Sequence, residues 1–339
     1  MGKPRLLSRL ALFASFFAFT VIGLGAFTRL IDAGLGCPDW PGCYGRITVP
    51  LTEKAQELAA FLYPMTHLVA YKAWAEMIHR YFVGGLSCLI LILIVIIFSK
   101  KVFRTRGNIL LSVGLILLLM YQIALGAWTV TLKLLPVIVT QHLLGGFLIL
   151  TLLWLIFLNN RQNYFATRNY FHLIPWAVIG ILILFFQIAL GAWTSTHYAS
   201  LSCPDFPFCH NDQSLTWQLK DAFNLFQPIG INYEGGTLPD SVRQTIQMVH
   251  RTVAGIFALY TFIFAAIILV RARVSNEIMK TLYLILGLIL IQVCLGITNV
   301  LFQLPLATAI LHNLVAALLV LAWVTLLFKL IYIPNETIA

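Results

Sequence analysis

Eight stretches of about 20 consecutive apolar residues constrain this chain more than any other feature. They lie near 9–29, 76–98, 108–129, 140–159, 173–194, 245–270, 278–299 and 306–332. A helix of about 20 residues spans the hydrocarbon core of a bilayer, and a spanning segment must satisfy its own backbone hydrogen bonds. Composition agrees: 60% of the 339 residues are hydrophobic and only 10% are charged, against about 25% charged in soluble domains. The expected fold is an all-α polytopic membrane protein with eight transmembrane helices. The start of the chain imitates a secretory leader, with basic residues before an apolar stretch. That stretch runs too long, and no clear small-residue cleavage site follows it, so it reads as the first membrane helix.

The net charge of +10 raises the question of a nucleic-acid partner, and the placement of the charge excludes one. Lys3, Arg5 and Arg9 precede or open the first run. Lys100, Lys101, Arg104 and Arg106 separate runs two and three, Arg161 and Arg168 runs four and five, and Arg271, Arg273 and Lys280 runs six and seven. These are the short connections of one side, which the positive-inside rule makes cytoplasmic. Both termini are then expected inside, with the excess charge serving topology and anionic headgroups.

The octapeptide QIALGAWT occurs at 122–129 and again at 187–194, with weaker relatives VIGLGAFT at 21–28 and QVCLGITN at 292–299. Each closes an odd-numbered run. Each even-numbered run opens on a histidine: His79, His142, His250 and His312. From the glycine of each octapeptide to the next histidine the gaps are 54, 16, 59 and 16 residues. The repeat unit is therefore four helices, used twice and in parallel, around a pseudo-twofold axis along the membrane normal. The expected halves are 1–165 and 166–339, each a four-helix bundle. The octapeptide glycine lets two backbones approach, and the partner helix presents the histidine.

One histidine near a helix end is ordinarily an interfacial hydrogen-bonder. Four at one register of four helices, each followed by small residues such as Gly84, Gly85, Gly145, Gly146, Ala254, Gly255, Ala316 and Ala317, suit a flat ligand. Imidazole is an axial ligand of haem iron, and bundles build such sites from facing helices. Two histidines per half imply one bis-histidine haem site per half. His67, His197 and His210, in the outer loops, and His172, at the inner edge, are expected to be ordinary surface residues.

The halves differ at one position: Glu76 stands three residues before His79, but Gln247 three before His250. That spacing puts Glu76 on the face of His79. A carboxylate there can move a proton or stabilise developing positive charge; the plainer reading is a helix cap or a pair with Arg80. The asymmetry points to chemistry in the first half and a resident cofactor in the second. Arg80 and Arg251, each beside its histidine at the water interface, suit the carboxylates of a haem.

Four of six cysteines form two C-x5-C pairs, Cys37 with Cys43 and Cys203 with Cys209, in the two long outer loops. Prolines and an oxidising location favour local disulfides, with redox-active thiols or a four-cysteine zinc site as the other readings. The loops themselves, by length and position, are expected to lie over the histidine sites.

The E-x-x-H-R helix start, C-P-D-W-P in the first outer loop, the L-G-A-x-T helix ends and the four repeated histidines together resemble the haem A synthase family, over about residues 10–330. The resemblance implies a membrane oxidoreductase that converts a methyl group of haem O into the formyl group of haem A for a terminal oxidase. It implies haem b as cofactor on His250 and His312, with Arg251 beside it, substrate haem on His79 and His142, and Glu76 as the essential carboxylate. It also implies a bacterial plasma membrane with the haem sites toward the periplasm. The partners expected are haem O synthase and an electron donor or acceptor, with a second copy of the chain as a further candidate.

Two other functions compete. A transmembrane b-type electron carrier needs haems at both depths, hence helices with two histidines about 13 residues apart, and no even-numbered run has them. A haem exporter or chaperone has no evident use for the carboxylate at Glu76.

Overall fold

The computed structural model describes residues 3–161, 164–166, 170–209, 217–271 and 274–334. Ten α-helices occur among them: α1 (Lys3–Leu30), α2 (Glu53–Leu62), α3 (Ala70–Ser99), α4 (Arg106–Thr131), α5 (Pro136–Arg161), α6 (Ile174–Thr196), α7 (Leu219–Ala222), α8 (Asp240–Arg271), α9 (Asn276–Leu301) and α10 (Leu306–Ile331). Eight are long and apolar enough to cross a membrane, which makes this a multi-pass integral membrane protein; α2 and α7 are short helices within the long loops. A three-residue antiparallel ladder pairs β1 (Tyr164–Ala166), after α5, with β2 (Tyr332–Pro334), after α10. Apart from it, the described residues are helix and loop.

The helices α3, α5 and α8 begin four to six residues before the apolar runs that announced them. The first turns of α3 and α8 carry polar or aromatic residues, Tyr71 and Lys72 in one and Asp240, Ser241 and Arg243 in the other, whereas α5 opens on Pro136. Hydropathy marks the hydrocarbon core, whereas the helix continues into the headgroup region.

The octapeptides acquire a structural meaning at their last residue. The carbonyls of Thr28, Thr129, Thr194 and Asn299 each accept the backbone N–H five residues on, from Ala33, Leu134, Ala199 and Leu304, at 2.7–2.9 Å. This is the six-to-one closing bond of a helix C-terminus, and it requires a left-handed residue just before the donor or at it. Asp32 (φ 51°), Leu134 (φ 61°), Tyr198 (φ 54°) and Leu304 (φ 62°) supply it without glycine. Four related octapeptides, two of them identical, thus end four helices with the same closing bond.

Within the first half α1 packs against α3 and α5, and α4 against α5 and α3. In the second, α6 packs against α8 and α10, and α9 against α10 and α8. Between these quartets α1 meets α10, α6 meets α5, and α5 meets α10. Two contacts join residues at equivalent positions of the repeat. The Tyr198 hydroxyl donates to Asp32 Oδ1 at 2.7 Å, and the Arg29 guanidinium donates to the Ser195 carbonyl. Arg29 also lies 4.0 Å over the Tyr198 ring and pairs with Asp32.

Deeper in the protein, Trp323 of α10 is fully buried and packs against Phe257, Tyr260 and Phe264 of α8. Gly180 of α6 makes room for it, since a Cβ there would overlap the indole. At the opposite end from the disulfide loops, fully buried Asn108 exchanges hydrogen bonds with Asn159 and Asn160, tying α4 to α5.

Candidate functional site

Each of the four helix-borne histidines rests on the glycine of an octapeptide. A methyl group on Gly25 would lie 3.1 Å from Cε1 of His79, on Gly126 3.5 Å from that of His142, on Gly191 3.2 Å from that of His250, and on Gly296 3.2 Å from that of His312. The glycines are therefore seats: the imidazole occupies the place of the missing side chain. His79 lies within electrostatic reach of His142, and His250 of His312. Each ring's histidine neighbour in electrostatic reach is thus the one on the other even-numbered span of its own half.

Three features bear on what these pairs can hold. The residues are half-buried, yet Nδ1 of His79, His142 and His312 is buried and has no hydrogen-bond partner. Gly84 and Gly255, each five residues past a histidine, have nothing within 4 Å of where a Cβ would stand. Among the described residues there is no group of three or more His, Cys, Asp and Glu. Half-buried imidazoles, two in each half and three of them with an unpartnered ring nitrogen, fit the donors that a haem iron would need. The other small residues serve packing. Gly85 faces Phe17, Gly145 faces Gln122, and Ala316 and Ala317 are buried in the core.

Above the rings stand the two cysteine loops, closed by disulfides Cys37–Cys43 and Cys203–Cys209. Arg80 donates to the carbonyls of Asp39 (2.9 Å), Pro41 and Gly42. Arg251 donates to those of Asp205 (2.7 Å), Pro207 and Cys203 (2.6 Å). The sequence placed these guanidiniums toward a ligand's carboxylates; the structure puts their terminal nitrogens on loop carbonyls, because a C-x5-C turn aims its carbonyls back at the helix below. Arg251 keeps one buried donor without a partner, Nε.

Glu76 is 5% exposed. Its Oε2 accepts the backbone N–H of Cys37 at 2.8 Å, and its Oε1 pairs with Arg80. The pairing read as the plain alternative is thus present, and a contact to the disulfide loop comes with it. Gln247, its counterpart, donates instead to the Ser200 carbonyl at 2.7 Å. Gly36 explains how the first loop gets so close: a Cβ there would collide with the backbone of Lys72 and Ala73.

His197 departs from expectation. It is 1% exposed, packed on the Trp193 ring with centroids 4.3 Å apart, and its Nε2 lies 2.7 Å from the Gln227 amide nitrogen. Burial holds its pKa down, to about 4. It anchors the second long loop rather than decorating the surface, a role its spacing in the sequence did not signal. That loop also crosses to the first half, where Tyr233 N donates to the Lys133 carbonyl and Glu234 lies 3.6 Å from Lys72. His67 and His172 are exposed as expected; His210, Arg168 and Arg273 lie outside the described residues.

Eight membrane-length helices, four of them carrying a half-buried histidine seated on a glycine beneath disulfide-closed loops, define a multi-pass membrane protein. The chain belongs to the COX15-CtaA family of cytochrome oxidase assembly proteins, which matches residues 8–324. It is 40% identical to the heme A synthase of Shewanella oneidensis over 95% of this chain and 96% of that protein. It is 28% identical to the heme A synthase of Bacillus licheniformis over 87% and 85% of the two chains, and to that of the Wolbachia of Brugia malayi over 88% and 89%.

Proposed function

We propose that this protein is a haem A synthase, oxidising the methyl group of haem O to the formyl group of haem A. The observation that carries the reading is the pair of imidazole pairs, each ring seated on a glycine, with a buried carboxylate beside only one pair. The relatives bearing that name over most of their length support it. The overall change, R–CH3 plus water to R–CHO, releases four electrons and four protons, so the site needs both a redox group and a proton acceptor.

In this reading the two quartets of helices are two bundles, 1–165 receiving the substrate haem and 166–339 holding haem b. His250 and His312 hold haem b, and Arg251 offers Nε to one of its carboxylates. Haem b, when bound, supplies the one-electron steps that carry electrons away. His79 and His142 orient the substrate haem, while Glu76, three residues before His79, takes up protons or stabilises positive charge at the reacting carbon. The Cys37–Cys43 loop, pinned to Glu76 and Arg80, excludes water from that side. The disulfide end is the periplasmic side of a bacterial plasma membrane, with both termini in the cytoplasm. Haem O synthase and an electron acceptor are the expected partners, with self-association a further possibility.

The test is a pigment analysis. The protein is expressed with a source of haem O, purified in detergent, and its extracted haems are identified by mass. Haem b together with haem A, or with hydroxylated haem O, is the expected result. Haem b alone under the same supply would overturn the synthase reading in favour of a carrier.

A further inference from the structure

The four octapeptides agree on the glycine that seats each imidazole but not on the residue one turn before it. That position holds Val21, Gln122, Gln187 and Gln292. A residue four before the glycine shares its helix face, so each of these side chains lies one turn from the seat along that face.

The amides behave accordingly. Gln187 puts its amide nitrogen 3.0 Å from Nδ1 of His250 and 3.1 Å from the His250 carbonyl oxygen, while its Oε1 is buried without a partner. Gln122 is buried, and its amide packs onto Gly145, three residues after His142; its Nε2 also lacks a partner. Gln292 has a buried, unpartnered Oε1, on the helix that seats His312. Buried amide atoms without partners are costly. Here they accompany an unpartnered Nδ1 on His142 and one on His312, whose ring also faces the backbone of Gln292. An amide turned about its last bond exchanges donor for acceptor without a change of shape. It then receives the Nδ1 proton that an imidazole must carry when its Nε2 binds iron. Val21 can do none of this; it packs against the apolar core, and the Nδ1 of His79 stays unpartnered.

We propose that Gln122, Gln187 and Gln292 are positioning residues that hold three of the four imidazoles as axial ligands, and that Val21 leaves His79 as the ligand that releases iron. An outer partner on the second ring nitrogen fixes a ligating imidazole and raises its basicity, and its loss typically costs about 10- to 100-fold in metal affinity. His79 is therefore the weak ligand of the set, and it is the one with Glu76 one turn away. Ligand exchange is confined to the first half, beside the carboxylate, while the second half stays closed at both axial positions.

The inference rests on the reading of these histidines as haem ligands, and the test separates the two. The purified full chain is loaded with haem b in both halves, reduced with dithionite and titrated with carbon monoxide. In the wild type, carbon monoxide binds only the first-half haem. V21Q lowers that affinity by about 10-fold or more, whereas V21L leaves it as in the wild type. Q122V, which strips His142 of its amide, raises it. Q187L opens the second-half haem, and Q187E, which keeps an acceptor, does not. Carbon monoxide binding at the second-half haem of the wild type, or identical titrations of V21Q and V21L together with an unchanged Q122V, overturns the proposal. H79A and H250A serve as the reference: if neither changes the haem absorption, the ligand reading itself fails; if both do, a null result at Val21 and Gln122 counts against this inference alone.

Discussion

Glu76→Gln replaces one oxygen by nitrogen and leaves the shape of the side chain intact. In the native site both oxygens are used, Oε2 by the Cys37 N–H at 2.8 Å and Oε1 by Arg80. An amide has one acceptor, so one of these donors must face another donor. A hydrogen bond to a charged group contributes about 1.5–3 kcal/mol, and the pair lies where water screens little, with side chains 13% and 7% exposed. The loop should therefore be released by ~3 kcal/mol, about a hundredfold in its opening equilibrium. Hydrogen exchange read by mass spectrometry over residues 37–44 measures the release, and conversion of supplied haem O measures the chemistry. The expected variant retains haem, exchanges its loop amides about a hundredfold faster and forms no haem A. Exchange altered by less than about threefold would refute the claim that Glu76 pins the loop. Unchanged product formation would refute its role in the reaction.

Gly191→Val puts a branched side chain where the His250 ring sits; loss of the haem b absorption is expected, and an unperturbed spectrum would remove the seat argument. Gly180→Ala drives a methyl group into the Trp323 indole, an overpacking worth about 1–3 kcal/mol, visible as a lower midpoint of thermal unfolding in detergent. Tyr198→Phe deletes the hydroxyl that joins the two halves at Asp32 and should cost about 1 kcal/mol on the same assay. His197 gives a pH dependence: the buried ring resists protonation down to about 4, while an opened loop titrates near the ordinary 6.5. The anchoring is complete above pH 6.5 and is lost progressively as pH falls toward 4, by up to ~3 kcal/mol. Proteolysis of the 217–239 loop should accelerate over that range, and His197→Gln should flatten the profile.

Much of the site was legible because its signals are local. A run of apolar residues, a repeated octapeptide and a histidine at constant register are properties of consecutive positions, and helical geometry turns them into faces. The Gly25–His79 and Gly191–His250 seats were inferable across loops of more than 50 residues only because the shorter Gly126–His142 and Gly296–His312 hairpins displayed the same pattern. The assignments of Arg251 and His197 had no such template. Each depends on how a long irregular loop folds back, and the sequence carries no period for that. Arg251 reads from the sequence as a partner for a ligand's carboxylate, and the loop carbonyls that engage it are backbone atoms, invisible in the residue code.

The sequence by itself therefore determined the eight spans, the four related octapeptides and which helix carries each histidine. What only the tertiary structure decided is which polar groups meet: Glu76 with the Cys37 amide, Arg251 with the carbonyls of its disulfide loop, and Asp32 with its own counterpart Tyr198. In water an apolar stripe would mark the inward face of each helix. In a bilayer lipid and protein interior are equally apolar, so hydrophobicity ceases to distinguish them, and helix rotation is set by glycine seats and buried polar contacts that become visible only once the chain is folded.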